Sequence, residues 1–200
     1  MISSLTVEKL ACMRGDRKLF DGLSFRVTAG QALAVEGANG AGKTSLLRMI
    51  AGFLAPAAGR IVLKSAEGES AEAEERGKSI GWLGHQDGLK PQLTVREQLD
   101  FFAHLHGRKA DANALERVGL ARQAELPCRY LSAGQRRRLA LARLLVSERP
   151  VWLLDEPFAA LDTAGQGLIA QLMARHCGHG GIIIAATHDP LGLGNESLKL

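Results

Sequence analysis

Gly37-Ala38-Asn39-Gly40-Ala41-Gly42-Lys43-Thr44 follows the apolar run Ala32–Val35 and leads into a helical pattern that opens at Lys43. The spacing G-x-x-x-x-G-K-[ST] between a strand and a helix carries a specific chemistry. Its glycines let backbone N–H groups curl around phosphate oxygens, and the helix N-terminus adds partial positive charge. The lysine reaches the β- and γ-phosphates, and the hydroxyl beside it ligates magnesium. Gly37, Ala38, Asn39, Gly40, Ala41, Gly42, Lys43, Thr44 and Ser45 are therefore the candidate nucleotide-binding residues, with Thr44 also a metal ligand.

Outward from this loop, strand-like runs occur at Leu23–Val27, Gln31–Val35, Arg60–Lys64, Ile80–Leu83, Val151–Leu154 and Gly181–Ala186. Helical patterns at Lys43–Ala51, Val95–Leu105, Gln135–Glu148 and Leu168–Cys177 alternate with most of them. That alternation predicts an α/β fold with a mostly parallel central sheet, to which antiparallel N-terminal strands are added. The helical, more polar stretch from about Gln92 reads as a subdomain inserted between sheet elements, covering roughly 92–145. Ser65–Arg76 is acidic and lacks aromatic and branched apolar residues, which predicts a solvated loop or frayed helix.

With 200 residues, 46% apolar and 23% charged, the chain is sized and composed as one soluble globular domain, which excludes disordered and fibrous designs. A function needing a second copy must therefore recruit a second molecule. The apolar runs fall far short of the roughly 20 residues of a membrane span, and the N-terminus has no basic-then-apolar order, so a cytoplasmic location is expected. Cys12, Cys128 and Cys177 are scattered and read as reduced thiols. A formal charge of +4 permits an acidic partner, but 4% aromatic content speaks against single-strand stacking, and no nucleic-acid partner is expected. Arg136, Arg137 and Arg138 accordingly read as a solvated face or a subunit contact. His104 with His106, and His176 with Cys177 and His179, lack a C-x-x-C-H context. They read as exposed helix-end residues, with no direct metal or haem binding expected.

Val151-Trp152-Leu153-Leu154-Asp155-Glu156 is a buried-strand run ending in two acids, at the sheet edge where ligands bind. Asp155 is placed to hold magnesium, and Glu156 to accept a proton from an attacking water. Leu131-Ser132-Ala133-Gly134-Gln135 offers Ser132 as the cap of a second helix start, with Gly134 leaving the backbone open. A capped structural helix accounts for this, and so does a phosphate reader serving nucleotide on another copy.

These motifs, taken in order, resemble the nucleotide-binding domain of ABC ATPases over nearly the whole chain. The matching residues are the phosphate loop Gly37–Thr44, Gln86, the Leu131–Gln135 signature, Asp155-Glu156-Pro157, Ala160-Leu161-Asp162 and His188. The resemblance implies a single P-loop domain over 1–200 that is a Mg2+-dependent ATPase binding ATP. It further implies a dimer closed head to tail around two ATP molecules, in which Ser132, Gly134 and Gln135 of one copy face nucleotide held by the other. Lys43, Gln86, Glu156 and His188 would be catalytic, and Thr44, Gln86 and Asp155 would hold the metal. Gln86 would also tie the helical subdomain to a membrane partner. In place of the family's usual adenine-stacking aromatic stands Arg14, whose guanidinium can lie flat on a π face. Phe20 is the alternative, in a setting that suits packing better.

Gly84–Val95 and Leu131–Leu144 are similar to the corresponding stretches of the ATPase subunits of bacterial cytochrome c maturation complexes. That resemblance implies integral CcmB-like and CcmC-like partners and a peripheral place on the cytoplasmic face of the inner membrane. It also implies that hydrolysis drives haem export or release of a haem-loaded carrier. The alternatives are the ATPase of another small exporter and a soluble ABC ATPase of an assembly pathway.

Overall fold

The computed structural model describes residues 1–109, 111, 113–193 and 196–200; the expected subdomain 92–145 thus contains two positions, 110 and 112, outside the described residues. In chain order the elements are β1 (Ile2–Arg14), β2 (Arg17–Thr28), β3 (Ala32–Glu36), α1 (Lys43–Ala51), β4 (Ala58–Ser65), β5 (Gly68–Ser70), α2 (Ala73–Gly77) and β6 (Ile80–Leu83). They continue as α3 (Val95–Leu105), α4 (Ala114–Arg117), α5 (Ala133–Ser147), β7 (Val151–Asp155), α6 (Thr163–Gly178), β8 (Ile182–Ala186) and β9 (Glu196–Lys199).

The central sheet has the order β6-β7-β8-β3-β9 and is parallel throughout, as the alternating pattern predicts. Its inner strands read as unbroken apolar runs because both faces are covered. Leu33, Val35, Val151, Leu153, Ile182 and Ile184 point to one side, against Leu46, Leu47 and Ile50 of α1 and the residues Leu5, Val7 and Leu10 of β1. Ala32, Ala34, Trp152, Leu154, Ile183 and Ala185 point to the other, against Leu99 of α3, Leu139 of α5 and Ile169 of α6. The two-residue period of a strand divides each run between two cores. The second sheet, β2-β1-β4-β5, is antiparallel.

Four segments depart from the sequence expectation. β1 carries no clean alternation because its register shifts around Glu8–Lys9, where Lys9 has φ 48° and Gly59 of β4 comes so close that an added Cβ would lie 2.4 Å from the Lys9 carbonyl. Ser65–Arg76 is solvated as expected, with Arg76 its buried residue, but it is regular structure rather than a loop or a frayed helix. It turns back as β5 on β4 and enters α2, where the buried Arg76 guanidinium donates to the carbonyls of Ile61, Met49 and Ala71. β9 is a short, largely exposed edge strand whose pairing with β3 has no apolar signature. α6 also begins earlier than its apolar pattern, because the Asp162 carboxylate accepts the Gly165 N–H at 2.8 Å and fixes the first turn.

Candidate functional site

The phosphate loop connects β3 to α1 at the C-terminal edge of the parallel sheet. Gly42 caps α1 in a left-handed conformation at φ 111°, which favours glycine, and an added Cβ would crowd the Phe20 ring at 3.1 Å. Phe20 thus packs against the loop. Lys43 is buried, and its ammonium donates to the Gly37 carbonyl at 2.6 Å. The same Nζ stands 3.2 Å from His188 Nε2, which in turn lies 3.3 Å from Asn39 Oδ1.

Asp155 ends β7 and is only 4% exposed. Its two carboxylate oxygens accept from the Thr44 hydroxyl at 3.2 and 3.0 Å. A carboxylate and a hydroxyl at the foot of a phosphate loop form the hard-oxygen donor set that suits Mg2+. Pairing of Asp155 with Ala186 sets the end of β7 beside the end of β8, and the Glu156 N–H donates to the Ala186 carbonyl at 2.8 Å. Glu156 takes the left-handed region at φ 51°, unusual for a residue with a side chain. Its carboxylate stands 3.7 Å from His188 Nε2.

These groups border one cavity of about 360 Å³ whose walls include Arg14, Asn39, Lys43, Thr44, Asp155 and Glu156. Arg14 reaches it from the end of β1; Phe20 is not on its wall. Gln86 is exposed on the turn after β6, and its neighbour His85 is the residue of that turn on the wall. A larger concavity, about 510 Å³, opens at the opposite end of the strands around Pro150 and Gly181, with neither phosphate loop nor paired acids.

Ser132, Gly134 and Gln135 do not line this chain's phosphate-loop cavity. Ser132 caps α5: its hydroxyl oxygen accepts the Gln135 N–H at 3.2 Å, and the Gln135 side chain accepts the Ser132 N–H at 2.8 Å. An added Cβ on Gly134 would lie 2.9 Å from the Ala160 carbonyl, so the small residue lets the start of α5 approach the segment after β7.

Arg137 corrects the reading of the arginine triplet as a solvated face. It is buried, and its guanidinium donates to the carbonyls of Gly84, Asp155 and Glu156 and to the Asp87 carboxylate. Arg136 and Arg138 also turn inward, donating to the carbonyls of Leu131 and of Val118 and Gly119. The signal was present: Arg137 extends toward the N-terminus the buried stripe of Ala140, Leu141 and Leu144 at helical spacing. Of the histidines expected to be exposed, His176 instead stacks on Trp152, with ring centroids 3.9 Å apart. Burial pushes its pKa down to about 4. His106 is half-buried and stands 3.1 Å from Arg149.

The ABC transporter family model matches residues 20–159, a span containing the phosphate loop, the capped α5 and both acids. The chain belongs to the ABC transporter family. It is an ATPase of the ABC type, and members of the family bind ATP. Among similar proteins, the "cytochrome c biogenesis ATP-binding export protein CcmA" of Rhodopseudomonas palustris (strain BisB5) is 54% identical over 96% of this chain and 94% of its own length. The protein of that name from Bradyrhizobium diazoefficiens is 50% identical over 98% and 97%. Of solved structures, cbiO1 of Clostridium perfringens, part of the ABC transporter complex cbiONQ, superposes with TM-score 0.76 at 30% identity, over 94% of this chain and 80% of that one. An ATP-binding protein from Pyrococcus furiosus, 24% identical, shares the fold with TM-score 0.85 over 99% and 98%. No helix among the described residues is long and apolar enough to cross a membrane.

Proposed function

We propose that this chain is the ATP-hydrolysing subunit of a membrane complex serving cytochrome c biogenesis, and that it supplies energy for haem export or for release of a haem-loaded carrier. The observation carrying this reading is identity of about half the residues, over nearly the whole length of both chains, to CcmA proteins that are named for that process. Residues 1–200 act as one nucleotide-binding domain, with the helical subdomain at about 92–145. The chain sits peripherally on the cytoplasmic face of the inner membrane, held there by CcmB-like and CcmC-like integral subunits.

In the proposed mechanism Gly37–Ser45 cradle the phosphates, Lys43 binds the β- and γ-oxygens, and Arg14 lies on the adenine. Thr44, Asp155 and Gln86 would hold Mg2+, which would supply positive charge to the site. Glu156 accepts a proton from water as its oxygen bonds to the γ-phosphorus, and the bond to the bridging oxygen breaks to give ADP and phosphate. His188, 3.2 Å from Lys43 and 3.7 Å from Glu156, contacts the γ-phosphate beside both. Ser132, Gly134 and Gln135 complete the site of a second copy. That assignment agrees with their separation from this chain's own cavity.

The test is capture of the tagged Glu156→Gln chain with ATP from mildly solubilised membranes. The expected result is an ATP-bound dimer with integral subunits that handle haem. Recovery of a different permease would discard the haem assignment and keep the exporter. Recovery of soluble partners alone would overturn the membrane role in favour of an assembly ATPase.

A further inference from the structure

We propose that Arg137 is a positioning residue for ATP hydrolysis: its guanidinium ties the backbone carrying Asp155 and Glu156 to the Gly84–Asp87 turn and so sets where the Glu156 carboxylate stands. This rests on the reading of Glu156 as the base. Arg137 is 3% exposed and occupies the second turn of α5, directly after the capped signature. One terminal nitrogen, Nη1, donates to the Gly84 carbonyl at 2.8 Å and to Asp87 Oδ1 at 3.2 Å. The other, Nη2, donates to the Glu156 carbonyl at 2.7 Å and to the Asp155 carbonyl.

These contacts bear on Glu156 in particular. Its backbone holds a left-handed conformation that costs free energy and persists only where the surroundings hold it. The Glu156 N–H is held by Ala186 and its C=O by Arg137 at 2.7 Å together with the Ala159 N–H at 3.1 Å, so both polar groups that set the peptide planes are fixed and only the side-chain torsions remain free. Three carbonyls and a carboxylate converging on one point require a planar group with several donors and no acceptor. Arginine alone among the side chains supplies that fork. Because the same guanidinium joins α5, the turn after β6 and the end of β7, a displacement of the helical subdomain or of the Gln86 turn is transmitted to the base. Lys43 and Thr44 are not touched, so nucleotide binding is not the property Arg137 controls.

The test measures ATPase kinetics and binding of a fluorescent ATP analogue for Arg137→Lys and Arg137→Gln, alone and with Glu156→Gln, in the complex captured with its partners. Expected are a KM and analogue affinity within about twofold of the parent, and a kcat per nucleotide-binding site lowered on the order of tenfold for Lys and a hundredfold for Gln. In the Glu156→Gln background, Arg137→Gln should change the residual rate less than about twofold, because its effect passes through Glu156. An unchanged kcat per binding site with only a lower melting temperature would reduce Arg137 to a structural role and overturn the proposal. So would equal losses in both backgrounds. Glu156→Gln by itself reads the base assignment: turnover near the parental rate there removes Glu156 from its role, a failure separate from that of Arg137. Should Arg137→Gln not bind nucleotide, Asp87→Asn decides, with a severalfold lower kcat at constant KM expected and an unchanged kcat overturning.

Discussion

Thr44 and Asp155 lie 111 residues apart in the chain, yet the threonine hydroxyl stands 3.0 Å from one carboxylate oxygen and 3.2 Å from the other. The first residues of α1 and the last residue of β7 meet because α1 packs against the face of the sheet that contains Leu153. Asp155→Asn keeps the shape and a hydrogen-bond partner for Thr44 while removing the negative charge. We predict at least about a hundredfold loss in kcat/KM and a loss of the Mg2+ stimulation of nucleotide binding, with Mg2+-free affinity unchanged. Calorimetric titration with and without Mg2+ checks this; a full Mg2+ effect in the variant would remove Asp155 from metal binding.

Lys43→Ala deletes a buried ammonium that donates to Gly37 and stands beside His188. Charge-assisted hydrogen bonds contribute about 1.5–3 kcal/mol each, so ATP affinity should fall by about ten- to a hundredfold or more. His188→Ala keeps the ammonium and should alter affinity only a few-fold while lowering kcat. Direct binding measurements separate the two.

Ser132 separates a cap from a phosphate reader. Ser132→Ala breaks the capping box and should lower stability by about 1 kcal/mol. Ser132→Asp retains a capping acceptor and adds a negative charge where the partner copy's γ-phosphate is proposed to sit. It should melt at or above the parental temperature while losing ATPase activity; a stable and active Ser132→Asp chain would leave the residue only its cap.

His176 makes folding stability depend on pH. Burial lowers its folded pKa to about 4 from an ordinary 6.5, so between those values the unfolded chain binds the extra proton. Its contribution is complete above pH 6.5 and is lost as pH falls toward 4, on the order of 3 kcal/mol in total. His176→Phe keeps a ring on Trp152 and should flatten that part of the pH profile in chemical denaturation. Gly181→Ala should destabilise at every pH, because its Cβ would lie 2.2 Å from the His176 ring.

Removing Arg137 would take a donor from the Gly84, Asp155 and Glu156 carbonyls and from the Asp87 carboxylate, with the Ala159 N–H left on the Glu156 carbonyl. Each lost hydrogen bond to a charged group costs about 1.5–3 kcal/mol, so Arg137→Met should lower the melting temperature by several degrees or more, whereas Arg138→Met should have the smaller effect. Thermal unfolding of the two variants side by side checks the ranking.

The phosphate loop, both acids, the capped α5 and the parallel sheet were legible because each is a local pattern with a local cause: glycine spacing, an apolar strand that ends in charge, a serine three residues before a glutamine. Lys43–Ala51 and Val95–Leu105 occur with the boundaries that periodicity predicts. β1 was not legible, because a bulge breaks its alternation, and β9 was not, because an edge strand takes its hydrogen bonds from β3 without burying an apolar face. Arg137 shows in the sequence only as an extension of the buried stripe of α5, and His176 not at all, because residue type predicts burial only on average. Nothing near them in sequence announces the carbonyls or the tryptophan they meet.

By itself, then, the sequence determined the chemistry available to this protein and the order of its elements, since phosphate cradling, helix capping and strand burial depend on residues within a few positions of one another. Only the tertiary structure decided which of those groups stand together. Thr44 with Asp155, His188 with Lys43 and Glu156, and Arg137 with the backbone of both acids are contacts across the sheet edge and between the two cores. They are fixed by strand register and helix packing, which no local pattern encodes.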